Sequence, residues 1–213
     1  MHNIEYVLPE DIEKRSFEII KDELDAMGIV LPEDEDVVTR RVIHTTADFD
    51  YAKTLTYSKD AVNKARELLK NKAVIVTDTN MTKSGVNKKT LEKLGSEVIC
   101  YMADEDVAKE AKERQITRAA VSMERASKLG RPVIYAIGNA PTALIALYEL
   151  MEKGEYRPDF VIGVPVGFVS VEAAKELFIS SDVPYIINRG RKGGSNVAAA
   201  ICNALMYGIY RER

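Results

Sequence analysis

The sequence predicts an α/β fold in which a five-stranded parallel sheet lies between two helical layers, preceded by a helical N-terminal lead. Three observations carry this. From residue 72 onward five short apolar runs recur: AVIVT (73–77), EVICYM (97–102), PVIYAI (132–137), FVIGV (160–164) and PYIIN, which starts at Pro184. Each is apolar at nearly consecutive positions, the pattern of parallel strands covered on both faces. The segments between them are long enough for crossover helices, and right-handed crossovers give a three-layer, doubly wound, flavodoxin-like arrangement.

In chain order, Pro9 to Met27 carries Ile12, Phe17, Ile20, Leu24 and Met27 close to one helical face, with Gly28 as the stop. A second helix is expected after Pro32, where Glu33, Asp34, Glu35 and Asp36 complement the positive end of the macrodipole. It runs into Arg41 and His44, which are three apart and so share a face. Ser58 is a candidate N-cap for a helix from Lys59 to Lys70, with Val62, Ala65, Leu68 and Leu69 turned inward. The crossover helices are expected at Lys89 to Leu94, Asp106 to Leu129, Thr142 to Lys153, Val171 to Ile179 and Ser195 to Tyr210. With no internal repeat, low-complexity stretch or Pro/Gly/Ser linker, residues 1–213 read as one domain.

Composition narrows the function. At 213 residues, 46% apolar and 30% charged, the chain is that of an ordinary soluble protein able to bury a substantial core. A net charge of −3 and a pI near 5.6 argue against nucleic-acid binding, which needs a basic surplus or stripe. No apolar run approaches a membrane span, and the opening MHNIEYVLPEDIEKRSF has acidic residues where a signal peptide needs an apolar core, so a cytoplasmic protein is expected. Cys100 and Cys202 lack any metal-ligand spacing and read as buried reduced thiols.

In doubly wound sheets ligands bind outside the carboxyl ends of the strands, and the unusual residues of this chain gather there. Thr77, Asp78 and Met81 follow the first apolar run. Gly138 and Asn139, with Ala140, Pro141 and Thr142, follow the third; Pro165, Gly167 and Phe168, with Val166, follow the fourth. The fifth leads into RGRKGGSN, whose Arg189, Arg191, Lys192, Gly193, Gly194 and Ser195 suit a phosphate or carboxylate at the start of the next helix. Such a loop can equally be a solvated turn. It lacks the GxxxxGK[ST] spacing, and no GxGxxG follows any run, which disfavours nucleotides. Asp78 is read as pocket lining, though a lone Asp after a strand is as often an N-cap. Met81 and Phe168 offer apolar lining for a large flat ligand. His44 is one of two histidines, the other being His2 near the N-terminus. Its ordinary pKa, roughly 6.5, suits acid–base work, although a lone histidine is more often structural.

Several strings together resemble one family, the precorrin-8X (cobalt-precorrin-8) methylmutases of cobalamin biosynthesis: RSF at 15–17, the Arg41-Val-Ile-His44 stretch, TDTNM at 77–81, ITRAA at 116–120, IGNAPTAL at 137–144, PVGFV at 165–169 and RGRKGGS at 189–195. The resemblance implies an isomerase that moves a methyl group from C-11 to C-12 of a corrin-like macrocycle, giving hydrogenobyrinate or its cobalt analogue without an external methyl donor. It implies His44 as the proton donor and acceptor, and Ser16 and Arg41 as substrate contacts. It also implies a homodimer in which Arg118 reaches the neighbouring subunit's pocket. A migrating methyl needs no cofactor, protein-bound metal or nucleophile, and the sequence offers none. A non-catalytic tetrapyrrole carrier or sensor on the same fold would use the same pocket. A flavin binder is disfavoured by the absence of Trp.

Overall fold

The computed structural model describes residues 6–211, so His2 lies outside the described residues. Their elements are α1 (Ile12–Ala26), α2 (Glu33–Thr46), α3 (Tyr51–Thr54), β1 (Leu55–Tyr57), α4 (Ala61–Lys70), β2 (Val74–Thr77), α5 (Asn80–Gly85), α6 (Lys88–Lys93), β3 (Val98–Ile99), α7 (Glu105–Glu113), α8 (Arg118–Ala126), β4 (Val133–Ile137), α9 (Pro141–Glu152), β5 (Phe160–Gly163), α10 (Val171–Ile179), β6 (Tyr185–Asn188) and α11 (Ser195–Arg211).

All five apolar runs become strands, and they pair in parallel in the order β3-β2-β4-β5-β6. The sheet is nevertheless six-stranded and mixed, because β1 adds an antiparallel edge against β6. The burial pattern explains why the runs are continuous. On β4, Ile134 and Ala136 face one core with Ile75 of β2 and Phe160 and Ile162 of β5, while Val133, Tyr135 and Ile137 face the other with Val74, Val76 and Val161. Side chains alternate between faces, and helices make both faces apolar. The first core is closed by α1, α2, α4 and α11, the second by α8, α9 and α10.

Three local expectations are corrected. The helix expected over Asp106 to Leu129 is two: Gln115 turns left-handed (φ 54°), and Thr117 restarts the chain as an N-cap whose side chain accepts from the Ala120 amide. Ser58 does not cap α4. Its hydroxyl accepts from the Tyr185 amide and fastens the end of β1 to β6, and α4 begins after Asp60 instead. The short helix α5 intervenes before α6, capped by Thr79, whose hydroxyl accepts from the Thr82 amide. Gly28, by contrast, stands where a stop was expected, at φ 67° just after α1.

The strand order reverses between β2 and β4: the chain leaves β2 for β3 on one side and returns as β4 on the other. That switch point opens a crevice at the carboxyl edge, flanked by the loops that carry the candidate residues.

Candidate active site

Four strand-end loops are bonded into one surface. The Thr79 hydroxyl, after β2, lies 2.8 Å from that of Ser195, at the start of α11. The Gly194 amide donates to the Val164 carbonyl after β5 (2.9 Å), and the Gly167 amide donates to the Arg191 carbonyl (3.2 Å). Two glycines permit the close approach. A Cβ on Gly138 would sit 2.7 Å from the Ser195 Cα, and one on Gly193 (φ 159°) would sit 2.0 Å from the Val164 carbonyl oxygen.

Asp78 lies between these loops, fully buried. Its carboxylate accepts from the amides of Gly138 (2.8 Å), Asn139 (2.8 Å) and Ala140 (2.6 Å), the three donors that lead into α9. Burial pushes the carboxyl above its ordinary pKa, and the three amides pull it back. The anion-binding end of the switch point is therefore filled from within the chain. Asp78 holds the turn and does not line an open pocket, and Thr77, also buried, bonds to the Thr79 and Ile99 carbonyls.

The β6–α11 loop is built the other way. Arg189, Arg191 and Lys192 are exposed, and each has an acidic partner: Glu176 at 3.3 Å, Glu172 at 2.8 Å, and for Lys192 both Asp48 and Asp50 at 2.6 Å. Exposed pairs of this kind are worth little, about 0–1 kcal/mol each, so an incoming carboxylate can exchange for them. Lys192 also ties the loop to the turn just after α2. Around the loop stand exposed apolar side chains, Phe168 (83% exposed), Val169 (81%) and Met81 (70%), and the Arg191 guanidinium lies 5.6 Å from the Phe168 ring centroid. Asn139 is exposed, Gly167 and Gly193 are half-buried, and Pro165, Gly138 and Gly194 are buried as framework.

His44 and Arg41 project from α2 as the three-residue spacing requires, and Phe17 of α1 joins them. The His44 ring stacks on Phe17 (centroids 5.3 Å apart, planes at 15°), with the Arg41 guanidinium 4.7 Å from the same ring and 5.6 Å from that of Tyr207. Glu13 pairs with Arg41. Ser16, beside Phe17, donates back to the Ile12 carbonyl (2.9 Å). A groove of about 390 Å³ lies on the Arg41 side of this cluster, lined in part by Glu13, Phe17, Arg41 and Tyr207; His44 and Ser16 are not part of its lining.

Arg118 is not brought to this cluster. It is exposed at the first turn of α8, whose Ala119 and Met123 pack on the opposite core from Val38, Val42 and Ile43 of α2. The neighbouring Thr117 hydroxyl bonds that of Thr142 (2.9 Å), which puts Arg118 by the start of α9. Among the described residues no group of three or more His, Cys, Asp or Glu side chains could hold a metal ion, and no helix is long and apolar enough to cross a membrane.

Several participants were not singled out from the sequence: Phe17 and Tyr207 in the histidine cluster, and Asp48, Asp50, Lys175 and Asn188 around the loop. Lys175 had a readable signal. On α10 the buried positions Val171, Ala174, Lys175 and Phe178 form one helical face, and a lysine on that face needs a polar reason to be there.

A family model described as precorrin-8X methylmutase matches residues 11–208. The cobalt-precorrin-8 methylmutase of Priestia megaterium is 42% identical over 199 residues, covering 93% of this chain and 88% of the relative. That of Salmonella typhimurium is 41% identical over 212 residues, covering 97% and 98%. The solved precorrin-8X methylmutase of Thermus thermophilus superimposes with a TM-score of 0.85 at 35% identity, covering 95% of this chain and 98% of that one. With matches of this length, on a fold whose strand-end loops and α2 cluster carry six of the seven sequence strings, ITRAA alone lying at the start of α8, the chain belongs to the precorrin-8X methylmutase family.

Proposed function

We propose that the protein is an isomerase of cobalamin biosynthesis that moves a methyl group from C-11 to C-12 of (cobalt-)precorrin-8, yielding hydrogenobyrinate or cobyrinate. The carrying observation is the whole-length match to methylmutases, and the geometry fits the chemistry. In the shift the C-11 to methyl bond breaks, the C-12 to methyl bond forms, and the conjugated system of the ring rearranges. The protein is asked for a held macrocycle and one positioned acid. His44, exposed and stacked on Phe17, is that acid; it protonates or hydrogen-bonds the macrocycle as the conjugation moves and takes the proton back. Arg41, next to it on α2, and the β6–α11 loop receive the acetate and propionate carboxylates, while Met81 and Phe168 offer apolar contact to the ring.

A homodimer is part of this reading. Small-molecule sites bury about 70–90% of their ligand, whereas His44, Met81, Phe168 and the loop cations stand on open surface in one subunit. Arg118, stranded on the opposite face of the sheet, would complete the neighbouring subunit's pocket. The parallel strand order supports a flavodoxin-like classification of the single domain. Buried free Cys100 and Cys202 suit the reducing cytoplasm.

Mixing the purified protein with cobalt-precorrin-8 or precorrin-8 should change the visible spectrum as the conjugation is rearranged; a folded protein that leaves the spectrum unchanged contradicts the proposal. His44→Ala should lower kcat by about 10² to 10⁴ while the product still binds. Undiminished turnover in that variant would remove His44 from the mechanism.

A further inference from the structure

Lys175 is the one lysine in the described residues whose side chain is fully buried, and among those residues its ammonium is bonded to backbone carbonyls and forms no salt bridge. Its ammonium donates to two backbone carbonyls of the β6–α11 loop, Gly190 at 2.7 Å and Lys192 at 2.9 Å. Asn188 supplements it, its side-chain amide donating to the Arg189 carbonyl (3.1 Å) and again to that of Lys192 (2.9 Å), with its own carbonyl held by the Thr54 hydroxyl (2.7 Å). The Arg191 carbonyl receives the Gly167 amide. All four consecutive carbonyls from Arg189 to Lys192 are thus consumed from inside the protein.

The amides of the same segment are spared. Between residues 189 and 194 only two donate to protein acceptors among the described residues, Arg189 to the Thr54 carbonyl (2.8 Å) and Gly194 to the Val164 carbonyl (2.9 Å). A loop whose carbonyls are tied down and whose amides are left over presents donors and no competing acceptors, as an anion receptor requires. A buried ammonium is an expensive way to achieve this. Burial pulls Lys175 down to about 8, against the opposing pull of Glu172, and an apolar side chain on this helical face would cost the fold less.

We infer that Lys175 is the positioning residue of the substrate-carboxylate receptor: it holds the Gly190 and Lys192 carbonyls inward, so that the amides of Gly190 to Gly193 are free for a carboxylate of the macrocycle. The identity of that ligand rests on the methylmutase reading; the hold on the loop does not.

The test uses the full-length chain and Lys175→Met, with two readouts: kcat and KM on cobalt-precorrin-8, and hydrogen exchange of the Arg189 and Gly194 amides in the unliganded protein. The expected result is a KM raised about tenfold to a hundredfold, as for loss of hydrogen bonds from a charged donor. The change in kcat should stay within about threefold, and both amides should lose protection. Lys175→Gln, which keeps an uncharged donor, should fall between the two and serves in place of Lys175→Met should that variant fail to fold. A folded variant with unchanged KM and unchanged protection overturns the inference. So does a kcat that falls with the folded fraction at constant KM, since that is a packing role alone. An inactive wild type removes the methylmutase reading, and the amide protection then decides by itself: its loss upholds the hold on the loop and its retention overturns it.

Discussion

Two turns at the carboxyl edge of the sheet look alike in sequence and differ in what fills them. IGNAPTAL and RGRKGGS each follow a buried strand, each place small residues before a helix, and each release backbone amides toward the edge. In the first, the amides of Gly138, Asn139 and Ala140 are taken by Asp78. In the second, Lys175 and Asn188 take carbonyls, and the exposed cations have only exchangeable partners. Glycine and a helix start are therefore insufficient to identify an anion site. What decides is whether an internal carboxylate or an internal cation sits behind the turn.

The sealed turn should fail in stability and the open one in binding. The largest effect is expected for Asp78→Ala, which strands three amides at the switch point and should cost about 4 kcal/mol in urea unfolding. A variant as stable as the wild type would show that the seal is dispensable. For Arg191→Ala the account expects unfolding free energy within about 0.5 kcal/mol of wild type, because its pair with Glu172 is exposed, and a KM raised roughly tenfold. A loss of stability without a change in KM would reverse the roles of the two turns. The smallest effect concerns Lys192, whose bond holds the Asp48 carboxyl below its ordinary pKa. A depressed carboxyl stabilises the fold above its unfolded-state pKa and stops doing so as pH falls through the lower folded value. Wild type should accordingly exceed Asp48→Asn by a small constant margin from neutrality to about pH 4, and the margin should vanish below it. A margin that grows on acidification would contradict the clasp.

The same contrast marks what the sequence could tell. The parallel strands were legible because burial on both faces leaves an uninterrupted apolar string, as in Val133–Ile137. Leu55–Tyr57 was not, since a three-residue antiparallel edge carries too little pattern to separate from a loop. Side chains that bond within a turn or two, such as Thr117 capping α8, leave a local signature, although the apolar periodicity on both sides of it read as one helix from Asp106 to Leu129. Those that bond across the fold do not: Ser58 finds the Tyr185 amide 127 residues away, and Asp78 finds its three amides about 60 residues away. Arg41 and His44 could be placed on one face from their spacing alone, but Phe17 and Tyr207, which hold them, come from α1 and α11 and meet α2 only in the folded chain. Lys175 falls between these cases. Its place on an apolar helical face was readable, and its target was not.

The most direct test of the two-turn account is a structure of the protein with its reaction product bound. The account predicts a substrate carboxylate ~3 Å from the amides of Gly190 to Gly193, the ring against Phe168 and Met81, and Asp78 still holding Gly138 to Ala140. A carboxylate seated on the Gly138–Ala140 amides with Asp78 displaced, or a macrocycle bound away from the β6–α11 loop, would contradict it.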